Sequence, residues 1–161
     1  MKFSLETLQS PKDNLQDRLL QEVGLATSSI YMQIYGFTLQ PLVDLLLQKH
    51  AAGLDILCVF DHTQAMGTAE KPQVQRLIDA GIKLAIGTSP DSHQIVHEKC
   101  IVIDGQKTLS GSYNFSVSAQ KQINHLDVID SIDRANMFTQ AINDSYNWIM
   151  LHEPQYQGGA K

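Results

Sequence analysis

Apolar and polar positions along this chain follow two periods, and the switches between them mark out the elements. Residues 2 to 8 read as a short strand. Ser10-Pro11-Lys12-Asp13 has the composition of a helix start, with Ser as the cap, Pro at the first helical position and Asp as a capping-box variant. Leu15, Leu19 and Val23 follow at steps of four, which makes one apolar helix face. Ile30, Met32 and Ile34 alternate with Tyr31, Gln33 and Tyr35, the period of a strand. Thr38 is placed to cap a helix from Leu39 to Ala52, ended by Gly53. Residues 54–60 are apolar on both faces, as a central parallel strand requires. A short helix over 72–80 is closed by Gly81, and a strand follows over 82–86. A hairpin over 97–112, a strand over 125–130 and an amphipathic helix over 133–151 complete the series. Segments 62–71 and 87–96 read as polar loops. The β-α-β-α-β order predicts an α/β fold, a mixed and largely parallel sheet with helices on both faces. It forms one domain over residues 1–154, and the polar, Gly-rich tail over 155–161 is expected to be disordered.

One stretch of this pattern carries chemistry. From His97 to Asn114 the chain reads H-x-K-x4-D-x6-G-S-x-N, with His97, Lys99, Asp104, Gly111, Ser112 and Asn114 at the fixed positions. Residues two apart in a strand share a face, so His97 and Lys99 project together, and Ser112 and Asn114 return beside them. An imidazole, an ammonium, a hydroxyl and a carboxamide then converge on a small volume. That set suits a phosphodiester: Lys and Asn bind the non-bridging oxygens, Ser adds a hydrogen bond, and His attacks phosphorus. An isolated His is more often structural, but an unpaired Lys in an apolar strand has no inexpensive structural explanation. Asp104 precedes Gly105, a strong turn signal, so these residues alone leave it open between turn and site. His93 and His97 are four apart, the spacing of a helical metal pair. The segment alternates as a strand, however, so no metal ligand set is expected.

The spacing resembles the HKD signature of the phospholipase D superfamily. Ile30–Thr38 is similar to the family's early strand with its F-T pair, Leu54–Asp61 to its second strand ending in Asp, and Ala80–Leu84 to its A-G-I entry to the next strand. The resemblance covers about residues 25–130 and is nearest to small single-motif bacterial nucleases. It implies a metal-independent phosphodiesterase without cofactor, a nonspecific nuclease acting on DNA or RNA through a phosphohistidine. It also implies structural roles for Asp104 and Gly111. Because the family sets two such motifs face to face and this chain has one, a homodimer is expected. The family places an acidic residue eleven positions after the motif's Asn, where this chain has His125. Asp127, on the same strand face, is the expected carboxylate that orients His97, with His125 left to contact substrate and Asn124 one residue out of register.

Composition narrows the alternatives. A chain of 161 residues with 43% hydrophobic residues fits one domain with a sizeable core. The net charge of −5 argues against a broad nucleic-acid footprint, though not against a narrow basic cleft. Cys58 and Cys100 lie in apolar runs and read as buried free thiols. No long apolar run is present, so no membrane span is expected. Residues 1–6 show no signal-peptide pattern, and a cytoplasmic location is expected unless a leader has been removed. A lipid phosphodiesterase is the second reading, weakened by the lack of a basic or Trp-rich surface segment. A phosphate- or nucleic-acid-binding module that has lost catalysis through the change at His125 is the third.

Overall fold

The computed structural model describes residues 3–157. Seven strands form one sheet: β1 (Ser4–Ser10), β2 (Ser29–Ile34), β3 (Asp55–Asp61), β4 (Lys83–Gly87), β5 (Lys99–Ile103), β6 (Lys107–Gly111) and β7 (Asn124–Asp130). Their order across the sheet is β1-β7-β6-β5-β2-β3-β4. Five helices join or cover them: α1 (Leu15–Gly24), α2 (Gln40–Ala51), α3 (His62–Ala65), α4 (Lys71–Asp79) and α5 (Ile132–His152).

The α/β architecture with helices on both faces is as the pattern predicts, but the sheet is not largely parallel. Only β2–β3 and β3–β4 run parallel, whereas β1–β7, β7–β6, β6–β5 and β5–β2 are antiparallel. Parallel neighbours need a crossover. Only α2 and the α3–α4 pair supply one, and the later strands are joined by a hairpin and loops. Strand alternation then divides the core. Ile30, Met32, Ile34, Cys58, Phe60 and Ile101 face α1, α2 and α4, meeting Leu15, Leu19, Leu42, Leu46 and Leu77. Leu57, Val59, Ala85, Cys100 and Val102 face α5, meeting Ala135, Ile142 and Ile149. Full burial of side chains this size contributes about 1.5–3 kcal/mol each. Both cysteines are buried and free, and burial pushes the Cys58 thiol up to about 12.

Some boundaries differ from the pattern. Helix α1 begins at Leu15 with Asn14 as its cap, accepting from the Asp17 N–H. Ser10 instead ends β1, paired with Asn124, its hydroxyl donating to the Gln122 carbonyl at 2.7 Å. Helix α2 is capped at Leu39, not Thr38, and has no side-chain cap bond. The expected 62–71 loop contains α3. Residues 155–157 of the expected disordered tail are placed. Tyr156 stacks on His62 with ring centroids 3.8 Å apart, and the Gln157 carboxamide brackets the Ile86 backbone at 2.9 and 2.7 Å. Those bonds use backbone groups that the edge strand β4 would otherwise leave unpaired. Residues 158–161 lie outside the described residues. No helix among those described is long and apolar enough to cross a membrane.

The topology gathers one end of the sheet into a site. Ile34 pairs with both Phe60 and Lys99, so the carboxyl ends of β2 and β3 meet the amino end of β5. The carboxyl end of β6 and the amino end of β7 lie on the same side, with Gly111 opposite Leu126. In open α/β sheets this end of the parallel strands is where ligands bind.

Candidate active site

His97 precedes β5 and is held on both sides. Asp61, buried at the end of β3, accepts from the Gln64 N–H through one oxygen and from the Val96 N–H through the other, at 3.1 and 2.9 Å. On the other side, the Tyr35 N–H donates to the Glu98 carbonyl at 2.9 Å. The His97 side chain is left exposed, its ring edge-on to Tyr35 with centroids 4.8 Å apart. Lys99 is its inverse, only 5% exposed. Its Nζ donates to the His97 carbonyl at 2.6 Å and lies 5.1 Å from the centre of the Tyr35 ring. Burial holds the ammonium below its ordinary pKa against the opposing field of Glu98. Among the described residues Lys99 has no ion-pair partner, although buried cations ordinarily have one.

A cavity of about 460 Å³ adjoins this pair, walled by His97, Lys99, Ser112, His125 and Asp127. Ser112 is built into the β6–β7 junction. Its hydroxyl donates to Asn124 Oδ1 at 3.1 Å, accepts from the His125 N–H at 3.1 Å and lies 3.3 Å from His125 Nδ1. Gly111 permits that approach, because a Cβ there would stand 2.3 Å from the His125 carbonyl oxygen. Asn114 is the exception. It lies on a second depression, whose wall includes the Tyr35 that contacts His97 and Lys99, with its Oδ1 buried and without a protein partner.

Asp104 lies at the other end of β5, five residues from Lys99, or about 16 Å of strand. With Gly105 it forms the turn, both at positive φ (53° and 61°). Its carboxylate accepts from the N–H groups of Thr27, Ser28 and Ser29 and from two hydroxyls, at 2.8–3.1 Å. Burial alone would raise its pKa, but those bonds outweigh burial and hold it well below the usual carboxylate range. The two ends of the motif therefore do different work: His97 and Lys99 face the cavity, while Asp104 ties the hairpin to the start of β2.

The expected pairing of Asp127 with His97 is not formed. Asp127 lines the cavity, but its Oδ1 accepts from the Thr7 hydroxyl at 2.5 Å rather than from His97. The β1–β7 register sets Thr7 directly opposite Asp127, and the tie follows from that pairing. His93 is bonded to Glu153, Nδ1 to Oε1 at 3.0 Å, and to the Thr88 hydroxyl. No group of three or more His, Cys, Asp or Glu among the described residues is placed to hold a metal. Conversely, the pattern gave no notice of Arg134. From the first turn of α5 it lines the same cavity, with Nη2 donating to Ser110 Oγ at 3.1 Å and the guanidinium 4.9 Å from the Phe138 ring centre. Nothing local marks a residue that reaches the motif only through helix packing. Tyr35 ends the alternation that the pattern does identify and directly follows β2, yet its contact with His97 depends on the β2–β5 pairing.

Comparison with known proteins agrees with this geometry. The family model described as "Cardiolipin synthase, PLD-like domain" matches residues 19–149. A phospholipase D of Rickettsia prowazekii (strain Madrid E) is 30% identical over 119 residues, covering 74% of this chain and 56% of its own length. A mitochondrial cardiolipin hydrolase of Danio rerio is 30% identical over 102 residues, 63% of this chain and 43% of that protein. The chain thus spans about half the length of these relatives. The phospholipase D family member Nuc from Salmonella typhimurium superposes with a TM-score of 0.83 at 26% identity, over 91% of this chain and 95% of that one. NucT from Helicobacter pylori shares the fold with a TM-score of 0.76 at 16% identity, over 92% and 96% of the two chains. With its hairpin, its strand order and a family match over residues 19–149, the chain belongs to the phospholipase D-like family.

Proposed function

We propose that this protein is a metal-independent phosphodiesterase that cleaves nucleic acid, with His97 as nucleophile in a site completed by a second copy of the chain. The observation that carries the reading is Lys99, a buried cation without a carboxylate partner beside an exposed imidazole. A phosphodiester anion supplies the missing charge. Arg134 adds a second cation in the cavity, and a guanidinium fork matches phosphate oxygens. Together these groups provide the neutralisation and positioning that a metal would otherwise give.

The chemistry runs in two displacements. His97 attacks phosphorus, a P–N bond forms, and the P–O bond to the leaving alcohol breaks. The leaving oxygen takes its proton from a second imidazolium. Water then attacks the phosphohistidine, gives a proton to that same second imidazole, and the P–N bond breaks. A single histidine cannot be nucleophile and acid in one step, so the partner subunit's His97 fills the second role across a two-fold interface. Val117 and Ile123, 57% and 92% exposed on the segment between Asn114 and His125, are apolar side chains that a second copy would cover.

A lipid phosphodiesterase is the second reading, favoured by relatives named phospholipase D and cardiolipin hydrolase. The cavity supports it less, since Phe138 is the one large apolar side chain in its wall and acyl chains need more. Plasmid and single-stranded oligonucleotide, each incubated in EDTA, test the first reading, and anionic phospholipid vesicles test the second. Cleavage of nucleic acid with vesicles intact supports the nuclease. The reverse result transfers the site to lipid. Binding without turnover of either would mark a module that no longer catalyses.

A further inference from the structure

Beyond Tyr35 lies the second depression, about 420 Å³, which none of the steps above uses. Its wall carries the hydroxyls of Thr38, Thr68, Ser116 and Ser118, together with Glu70 and Asn114. Glu70 is 3% exposed. Its Oε2 accepts from the Phe37 N–H at 2.6 Å, while its Oε1 is buried without a protein partner. Asn114 Oδ1 is in the same condition, packed where Gly36 leaves room, since a Cβ on Gly36 would stand 3.2 Å from it. Two buried polar oxygens left unpaired in one pocket are unusual, because each costs its desolvation without return. They mark a place where a ligand supplies the hydrogen-bond partners.

The kind of ligand follows from charge. Burial, reinforced by Asp61 and opposed by the Phe37 N–H, pushes the Glu70 carboxyl up to about 8. At neutral pH it is therefore largely uncharged and can both donate and accept. The hydroxyls around it do the same, and no Lys or Arg is in the wall to attract an anion. A pocket dense in two-way hydrogen-bonding groups and nearly free of charge matches neutral hydroxyls. Tyr35 joins it to His97 and Lys99, so the hydroxyls in question belong to the alcohol esterified to the phosphate.

We infer that this pocket binds an alcohol bearing a hydroxyl on the carbon adjacent to the one that carries the ester oxygen, with Glu70, Asn114 and Thr68 as its partners. Ribose and glycerol both have that chemistry. The inference rests on the phosphodiester reading of His97 and Lys99 and adds the substrate's alcohol to it.

Calorimetric binding of four phosphomonoesters to the intact protein tests it without requiring turnover. The first pair is glycerol phosphate against propyl phosphate, and the second a ribonucleoside 3′-monophosphate against its 2′-deoxy counterpart. Wild-type protein should bind the hydroxylated member of at least one pair about tenfold more tightly, the discrimination expected of one or two hydrogen bonds. Preference in the nucleoside pair assigns ribose, and preference in the glycerol pair alone assigns glycerol. Glu70→Gln, which keeps both a donor and an acceptor and can still receive the Phe37 N–H, should retain the ratio. Glu70→Leu should bring it to within about twofold. Because Glu70→Leu also removes the Phe37 anchor, Thr68→Val with Ser118→Ala, both on exposed wall positions, should lower the ratio while leaving that anchor in place. Equal binding within both pairs, or a ratio that survives Glu70→Leu and the double variant, overturns the pocket while leaving the phosphate site standing. Failure of all four to bind overturns the phosphate site beneath it.

Discussion

His97 makes few contacts that a substitution would disturb, because its ring is exposed and its position is set by the tethers on Val96 and Glu98. His97→Asn should therefore leave the thermal midpoint within about 2 °C of wild type while turnover falls to below about 1%, since losing a covalent nucleophile costs many powers of ten. Residual turnover above that would point to another nucleophile. Glu70 makes a different kind of prediction. Its folded pKa lies above the unfolded value of about 4.3, so the folded state holds more protons between about pH 4.3 and the folded value of about 8. Stability from this group is fully present below the lower value and is lost as pH rises through the upper one. Denaturant unfolding of wild type should thus show a decline across that window, on the order of a few kcal/mol. Glu70→Gln should flatten it, and an unchanged profile would mean that Glu70 is already ionised at neutral pH.

The hairpin of β5 and β6 is the element that positions the site, and its two ends can be separated by mutation. Asp104→Ala removes five bonded partners from the start of β2 and should lower stability by about 1–3 kcal/mol. Activity per folded molecule should survive, because the turn lies a strand's length from His97. The same carboxylate, held below its ordinary pKa, contributes stability that is present above about pH 4 and lost as pH falls further. Acid unfolding should accordingly shift to higher pH in Asp104→Asn. Gly111→Ala acts at the other end: its Cβ would meet the His125 carbonyl at 2.3 Å, so β6 and β7 must part and Ser112 move with them. Loss of stability and of activity together is the expected result. The spacing of His97, Lys99 and Ser112 was enough to bring these three to one cavity, because strand alternation is local. Asp104 was open on its turn chemistry alone, yet five residues of strand already separate it from Lys99. The bond of Asp127 to Thr7 was not legible, because Thr7 lies 120 positions earlier and meets it only through the β1–β7 pairing. Arg134 and Glu70 left no mark in the pattern for the same reason: each reaches the site through packing between elements distant in sequence.

The sheet as a whole was over-read as parallel, because helix–strand alternation covers only β2 to β4 while hairpin and loop connections govern the rest. What that architecture provides is a single His-Lys pair at one end of one sheet; His125, the other histidine of the cavity wall, lies against Ser112, and the proposed mechanism takes its second histidine from a facing copy of the motif. Activity should therefore depend on assembly. Sedimentation should find a dimer, and specific activity should fall on dilution through its dissociation constant; a monomer fully active at nanomolar concentration would contradict the shared site. The overall charge of −5 does not oppose phosphate binding here, because the cations that matter, Lys99 and Arg134, are local to the cavity. Turnover of bis-p-nitrophenyl phosphate in EDTA, by wild type and by His97→Asn side by side, tests the central claim without presuming DNA, RNA or lipid. Wild-type hydrolysis that persists in EDTA and disappears with His97 is the predicted result. Hydrolysis that EDTA abolishes, that His97→Asn retains, or that wild type never shows would contradict it.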